Sequence, residues 1–456
     1  MNCQSEVEPG SVSGALERAL SVLRTVVDIV ETPVDGPEPP EWCVRRGWAP
    51  RLLALSESEL ASCEERGLGA VVPQLASCPA EWLELSSVLR ACTSLPRLAS
   101  VKAELPSRAL RGVSARKREQ LAEFIPNVAA LVRRSERVVD VGAGAGHLSR
   151  LVAELFQRDA WALDRDAQRL ERGRSRCQDR AREVGELNVR FVEAHVGEHE
   201  LEFAPNDLAL GLHACGELGD RLVQQAARVR CHVGLVSCCL QKTQAERRMS
   251  MARAARGFTL RRSALGLANL TARAEGVEAT LAENLRAREA RLALRYLLCE
   301  RGIELKPGEE MRGINRRRAV AGFAELSAHA LAVLGLPAAS PAELRAHVER
   351  ARRDYAVMRR LSLPRNWLSR LVEVAIVLDR GARLEEAGLH VRVAQLFEQR
   401  VTPRNTVLFA SRDAQLLPPL SGESARGLDA SDATPKRTFL VGTANMHNRD
   451  QDASSG

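Results

Sequence analysis

The run VVDVGAGAGHLSR at residues 138–150 sets an acid, Asp140, within an apolar tetrad and follows it with glycines at every second position. Val138, Val139, Asp140 and Val141 read as a short buried parallel strand. Gly142, Gly144 and Gly146 permit a tight turn with backbone close to a ligand, and from His147 the pattern turns helical with one apolar face. Strand, glycine turn and helix N-terminus make a nucleotide-type pocket. A dinucleotide site would show G-x-G-x-x-G; here the spacing is D-x-G-x-G-x-G. Asp140 repels a pyrophosphate and suits a cationic, amine-bearing ligand. The next strand candidate, AWALDRD, ends in Asp164, 24 residues after Asp140, where an acid accepts hydrogen bonds from ribose hydroxyls. A third strand, residues 188–194, brings Glu193 to the position of an adenine ring. An acidic first loop plus a ribose acid points to S-adenosylmethionine rather than NAD.

A second set of reactive side chains follows two later strands. The segment DLALGLHACGEL (207–218) ends in His213 and Cys215, and HVGLVSCC (232–239) ends in Cys238 and Cys239. If the two strands are neighbours, all four residues lie beside the cofactor pocket. Three readings are open. The thiols are small buried fillers; or His213 orients or deprotonates a methyl acceptor while the thiols shape its pocket; or the four form a metal or redox site. Zinc accepts that ligand set, but adjacent cysteines rarely both reach one ion, so no metal is expected. HACG lacks the D/N-P-P-Y/F arrangement that holds a planar amine, which argues against ordinary adenine-N6 chemistry.

The elements that must position these groups alternate strand and helix from about residue 106 to 242, giving an open parallel sheet flanked by helices. Before it, residues 1–105 read as a small helical module whose first dozen residues look disordered. Ser114 can cap a lead-in helix carrying Lys117 and Arg118, read as a solvated face beside the cofactor mouth. After it, residues 243–388 read as a helical insertion covering the active site. Residues 389–412 hold two strand-like segments that would close the sheet as an antiparallel pair. Residues 413–456 turn polar and predict a disordered tail.

The composition is that of an ordinary soluble protein: 456 residues, 45% hydrophobic and 27% charged. No apolar run approaches the roughly 20 residues that span a bilayer, and the acidic N-terminus carries no signal sequence; a cytoplasmic location is expected. Net charge is +8, and only five of the 66 Lys and Arg residues are Lys. A basic surface suits an RNA or ribosomal partner, although the arginines are dispersed among Glu. The eleven cysteines form no CxxC pair and no zinc-finger spacing.

The blocks VVDVGAGAGHLSR, GLHACGEL with VGLVSCCLQK, and the stretch from LVEVAIVLDRG to TPRNTVLFASR resemble the methyltransferase-like protein 25 family, which includes ribosomal RNA adenine dimethylase domain-containing proteins. SARKREQL is similar to that family's S-P-K-K-x-x-E element, with Ala115 replacing the proline, and H-x-C-G with C-C is also similar to the transfer-RNA methyltransferase 13 group. Leu240 stands where relatives often have Tyr. The resemblance implies a class I fold with S-adenosylmethionine as cofactor. Asp140, Gly142, Ala143, Gly144 and Gly146 would form the methionine-side loop, Asp164 would hold the ribose, and His213, Cys215, Cys238 and Cys239 would line the acceptor side. The expectation is an α/β Rossmann-like methyltransferase acting on RNA or a translation-related protein. A non-catalytic scaffold and a small-molecule methyltransferase are the alternatives.

Overall fold

The computed structural model describes residues 11–75, 77–195, 202–271, 280–305, 308–398, 401–402 and 404–423. Its longer elements begin with helix α1 (Val12–Thr25), helix α2 (Ala115–Arg134), strand β1 (Arg137–Val141), α3 (His147–Phe156), β2 (Asp159–Asp164) and α4 (Ala167–Val184). Strands β3 (Val189–Glu193) and β4 (Asp207–Cys215), α5 (Glu217–Val229), β5 (His232–Cys238), β6 (Arg247–Met249) and β7 (Thr259–Arg261) follow. The chain continues with α6 (Leu281–Glu300), α7 (Phe323–Val333), α8 (Pro341–Trp367), α9 (Ser369–Glu385), β8 (His390–Gln395) and β9 (Thr406–Ser411).

Seven strands form one sheet in the order β3-β2-β1-β4-β5-β9-β8. The first five are parallel; β9 runs antiparallel to β5, and β8 antiparallel to β9 at the edge. This is the doubly covered α/β sheet with a terminal antiparallel pair that the sequence predicts. Period-two alternation distributes β1 between two cores. Val138 faces a cluster with α2 and α3, while Val139 and Val141 face one with α5 and α9. The order reverses between β1 and β4, so ligands are expected in the crevice at the carboxyl ends of those strands.

Helix α2 starts at the predicted cap, where the Ser114 hydroxyl accepts from the Lys117 N–H at 3.4 Å. Pro126 lies inside it and cannot donate to the Ala122 carbonyl. The Ala103 N–H takes that carbonyl at 2.9 Å, so the proline leaves no buried acceptor unsatisfied.

The N-terminal helices are not set apart from the sheet. Helix α1 lies along α9, and the Glu385 carboxylate accepts from the Val12 and Ser13 N–H groups at 3.0 and 2.9 Å, an acid at the positive end of a helix. Trp42, Trp48 and Trp82 stack edge-to-face, with centroids 6.3 and 5.7 Å apart, and join the same core as α5 and α9.

Residues 243–388 are mostly helical, as expected, but they also contain a small hairpin of β6 and β7, and two further expectations need correction. The hairpin's three-residue strands are too short for periodicity to show, and its own Arg248 ties it to α5 and α9, bonding Asp220 at 2.9 Å and Asp379 at 2.8 Å. Helices α6, α7 and α8 do not cap the site through their main contacts. They share a core of their own, and α8 docks on the N-terminal helices through Arg359 to Glu64 (2.6 Å) and Arg360 to the Leu55 carbonyl (3.1 Å). The expected tail is ordered at its start. Asp413 caps a helical turn, and the Ala99 N–H donates to the Pro419 carbonyl at 3.0 Å. Residues 424–456 of that expected tail, and residues 1–10 of the expected N-terminal disorder, lie outside the described residues. No helix among the described residues is long and apolar enough to cross a membrane.

Candidate active site

Asp140, the penultimate residue of β1, is almost wholly enclosed, 2% exposed, and accepts a hydrogen bond from the Ser149 hydroxyl at 2.8 Å. Burial pushes its carboxyl up to about 6, against the opposing pull of Ser149 and Lys117. The glycine loop crosses to β2, where the Gly142 and Ala143 N–H groups donate to the Leu163 carbonyl at 2.8 and 3.0 Å. Asp164 fixes the loop from its far side, accepting from the Gly144 N–H at 2.8 Å and the Asp166 N–H at 3.0 Å. Gly146 has φ +62°, and a Cβ there would sit 2.6 Å from the Phe191 ring, so the turn into α3 admits no side chain. Asp164 and Glu193 are register partners at the ends of β2 and β3. Beside Glu193, Ala167, Gln168, Leu170, Glu171 and Arg174 surround a cleft of about 350 Å³.

Two residues outside the sequence-predicted set join this pocket. Lys117, expected on a solvated face, is directed inward, where it interacts with Asp140 and Cys238; burial lowers its ammonium to about 8. Gln120, one turn later and 3% exposed, offers its carbonyl oxygen to His213 Nε2 at 3.0 Å. The i, i+3 spacing of Lys117 and Gln120, continuous with buried Leu121 and Phe124, is the sequence signal that places both on the inward face.

His213 occupies a bulge in β4, where the register to β5 shifts between Leu212 and Ala214 and its φ is +77°. A non-glycine residue in that region is strained, and such strain concentrates at functional sites. Because Gln120 Oε1 only accepts, Nε2 carries the ring proton. Nδ1 is then a buried lone pair with no partner among the described residues. Burial first, and then Lys117, Arg404 and Arg116, depress the imidazole to about 3, so it is neutral at physiological pH. A neutral ring can accept a hydrogen bond from an acceptor N–H or O–H and orient it, but it is a weak base.

Strands β4 and β5 deliver the thiols as predicted neighbours. Cys215 and Cys238 are register partners, their sulfurs 3.0 Å apart, and the Cys238 thiol donates to the His213 carbonyl at 3.2 Å. Cys239 follows in a left-handed conformation, φ +43°, and all three sulfurs lie within 4.8 Å of one another. Adjacent Cys238 and Cys239 nevertheless bring their sulfurs together, because the left-handed backbone breaks strand alternation. Gly216 closes the turn, and a Cβ there would meet the Lys242 carbonyl oxygen at 2.1 Å. Gly216→Ala is therefore expected to destabilise the protein by more than about 2 kcal/mol and to disorder the Cys215 turn, measurable by urea unfolding.

Residues 116–246 match a family model described as a methyltransferase domain. A glutathione S-transferase C-terminal domain-containing protein homolog of Drosophila melanogaster is 30% identical over 130 residues, covering 28% of this chain and 21% of that protein. The corresponding protein of Xenopus laevis is 27% identical over 125 residues, covering 27% and 19%. The chain thus spans about a fifth of the length of the curated relatives it matches. Among solved structures, coclaurine N-methyltransferase bound to N-methylheliamine and SAH aligns at a TM-score of 0.22 and 15% identity, over 48% of this chain and 62% of that one, too distant to carry weight. Sheet order and domain match together support a methyltransferase with a Rossmann-like fold.

Proposed function

We propose that the chain binds S-adenosylmethionine and transfers its methyl group to a nucleophile held at the ends of β4 and β5. The observation that carries this is the placement of two opposite charges, enclosed Asp140 and half-buried Lys117, at the mouth of the glycine loop. Such a pair fits a zwitterionic amino-acid group, with the methionine amine on Asp140 and its carboxylate on Lys117. Asp164 then takes the ribose hydroxyls, the loop of Gly142, Ala143, Gly144 and Gly146 lies along the cofactor, and the adenine rests beside Glu193.

In the transfer the acceptor's lone pair forms the new bond to the methyl carbon as the carbon–sulfonium bond breaks. S-adenosylhomocysteine leaves, and the acceptor's proton passes to solvent. Such a step needs chiefly alignment and a dry site. His213 Nδ1 would hold the acceptor's N–H or O–H in line, with Cys215, Cys238 and Cys239 forming the pocket wall.

The acceptor proposed is RNA or a translation-related protein, on the resemblance to the methyltransferase-like protein 25 family and the net charge of +8. Several insertion arginines are committed to ion pairs, among them Arg291 with Glu310 and Arg301 with Glu343, so RNA contact falls to the others. RNA affinity that falls steeply with salt supports this acceptor class; salt-independent binding opposes it. A scaffold without turnover is the second reading, favoured by Leu240, which fills a core position at 3% exposure and puts no phenol at the site.

Calorimetric titration with S-adenosylmethionine is the test. Binding is expected in the wild type and a loss of at least about tenfold in Asp140→Ala and in Asp164→Ala, each removing a charged hydrogen-bond acceptor. No heat in protein shown to be folded would sink the enzyme reading. Turnover lost in His213→Ala with cofactor binding retained distinguishes the enzyme from the scaffold.

A further inference from the structure

We propose that Cys215, Cys238 and Cys239 bind a zinc ion. Neighbouring parallel strands lie about 4.8 Å apart, so register partners Cys215 and Cys238 present their sulfurs to the same point. An ordinary extended residue after Cys238 would send its side chain to the opposite face. Cys239 instead adopts φ +43°, a conformation that non-glycine residues rarely take, and this turns the third sulfur back toward the other two. The outcome is three sulfurs from two strand ends within 4.8 Å, with Cys215 and Cys238 at 3.0 Å. Tetrahedral zinc with Zn–S bonds of about 2.3 Å sets its sulfurs about 3.8 Å apart, inside that range. A disulfide requires about 2.05 Å and joins only two of the three.

The surroundings match the charge of such a centre. Three thiolates on a dication leave one negative charge, and Lys117 acts on Cys238, Lys242 on Cys215 and Cys239, and Arg404 on Cys239. Soft sulfur ligands select zinc or copper(I) over magnesium, calcium and manganese. Three protein ligands leave one coordination position open, the pattern of catalytic rather than structural zinc. Bound there, the ion ties the ends of β4 and β5 together beside His213 and fixes the acceptor side of the pocket. The assignment does not depend on the methyl-transfer reading, since it follows from the sulfurs alone.

The full-length protein, reduced and stripped with chelator, is titrated with cobalt(II) and then zinc(II). The expected result is a thiolate-to-cobalt charge-transfer band in the near ultraviolet that stoichiometric zinc abolishes. Cys215→Ser and Cys239→Ser should each weaken zinc by more than the roughly 10–100-fold typical of losing an outer-shell partner, whereas Cys177→Ser, in α4, should leave it unchanged. The assignment is overturned if folded wild-type protein gives no such band, or if the band persists in both serine variants. It is overturned equally if protein purified without reductant carries a Cys215–Cys238 disulfide that zinc does not prevent. Should either serine variant fail to fold, the wild-type cobalt titration still decides. Copper(I) displacing zinc irreversibly would replace the zinc assignment with copper. Calorimetry with S-adenosylmethionine on the zinc-loaded protein keeps the two readings apart: metal without cofactor binding upholds this site and removes the methyltransferase.

Discussion

Arg380→Met is expected to destabilise the protein by about 3–5 kcal/mol, the usual consequence of removing one member of a buried ion-pair network. Arg380 is fully enclosed on α9 and uses each of its three nitrogens. It donates to Asp220 at 2.8 Å, to the Ser237 hydroxyl at 2.7 Å and to the Gly216 carbonyl at 2.7 Å. Arg248 bonds both Asp220 oxygens at 2.9 Å and also Asp379, which in turn accepts from the Met251 and Ala252 N–H groups. Burial alone would raise the Asp220 carboxyl, but Arg380 and Arg248 hold it below the ordinary range. Without Arg380 that charge keeps one partner, the Ser237 hydroxyl loses its donor, and the Gly216 carbonyl keeps only the Gly219 and Asp220 N–H groups, at 3.1 and 3.4 Å. Methionine fills much of the space, so the loss reflects unpaired charge rather than a cavity. Because Gly216 and Ser237 flank Cys215 and Cys238, the variant should also bind S-adenosylmethionine more weakly. Urea unfolding checks the first effect against Arg182→Met, whose pair with Asp179 is mostly exposed and should matter little. Equal midpoints for the two variants would show that the network is not what joins α9 to the strand ends.

That network marks the boundary of what the chain reveals before it is folded. The glycine loop and its two acids were legible because everything that defines them is local: strand, turn and helix within 30 residues, and the acid at the next strand end. Helix α4 and the antiparallel last pair were legible for the same reason, a strong period bounded by turn residues. Arg380 was not, since its partners Asp220, Ser237 and Gly216 lie more than a hundred residues away and a charged residue on a helix reads as solvated. Lys117 was misread in the same way. The insertion was placed over the site because nothing local says which surface Arg359 and Arg360 will find, and they find Glu64 and Leu55. Cys239 is a different failure. The expectation that adjacent cysteines rarely reach one point carried no sign of the left-handed turn at Cys239, just past the end of the strand.

Asp140→Asn should separate stability from binding, and pH should separate them again. Enclosed at the end of β1, the acid titrates near 6 in the fold and near 4 when the chain is unfolded. A raised carboxyl makes the charged form a burden on the native state. The contribution of Asp140 is therefore unfavourable above about pH 6 and is relieved as pH falls toward 4, by about 3 kcal/mol across two units. Asparagine keeps the acceptor oxygen for Ser149 and carries no charge. The variant should then be more stable than wild type at pH 7.5 by up to about that amount, with the difference closing near pH 4. Its affinity for S-adenosylmethionine should move the other way, down at least about tenfold, because a neutral amide cannot pair with an ammonium group. Wild-type affinity should likewise fall below about pH 6 while the variant's weak binding stays flat. Denaturant unfolding and calorimetry over pH 4–8 measure both. If Asp140→Asn is less stable at neutral pH and binds the cofactor as wild type does, the acid serves the fold rather than the ligand. The charge assignment at the glycine loop would then be wrong.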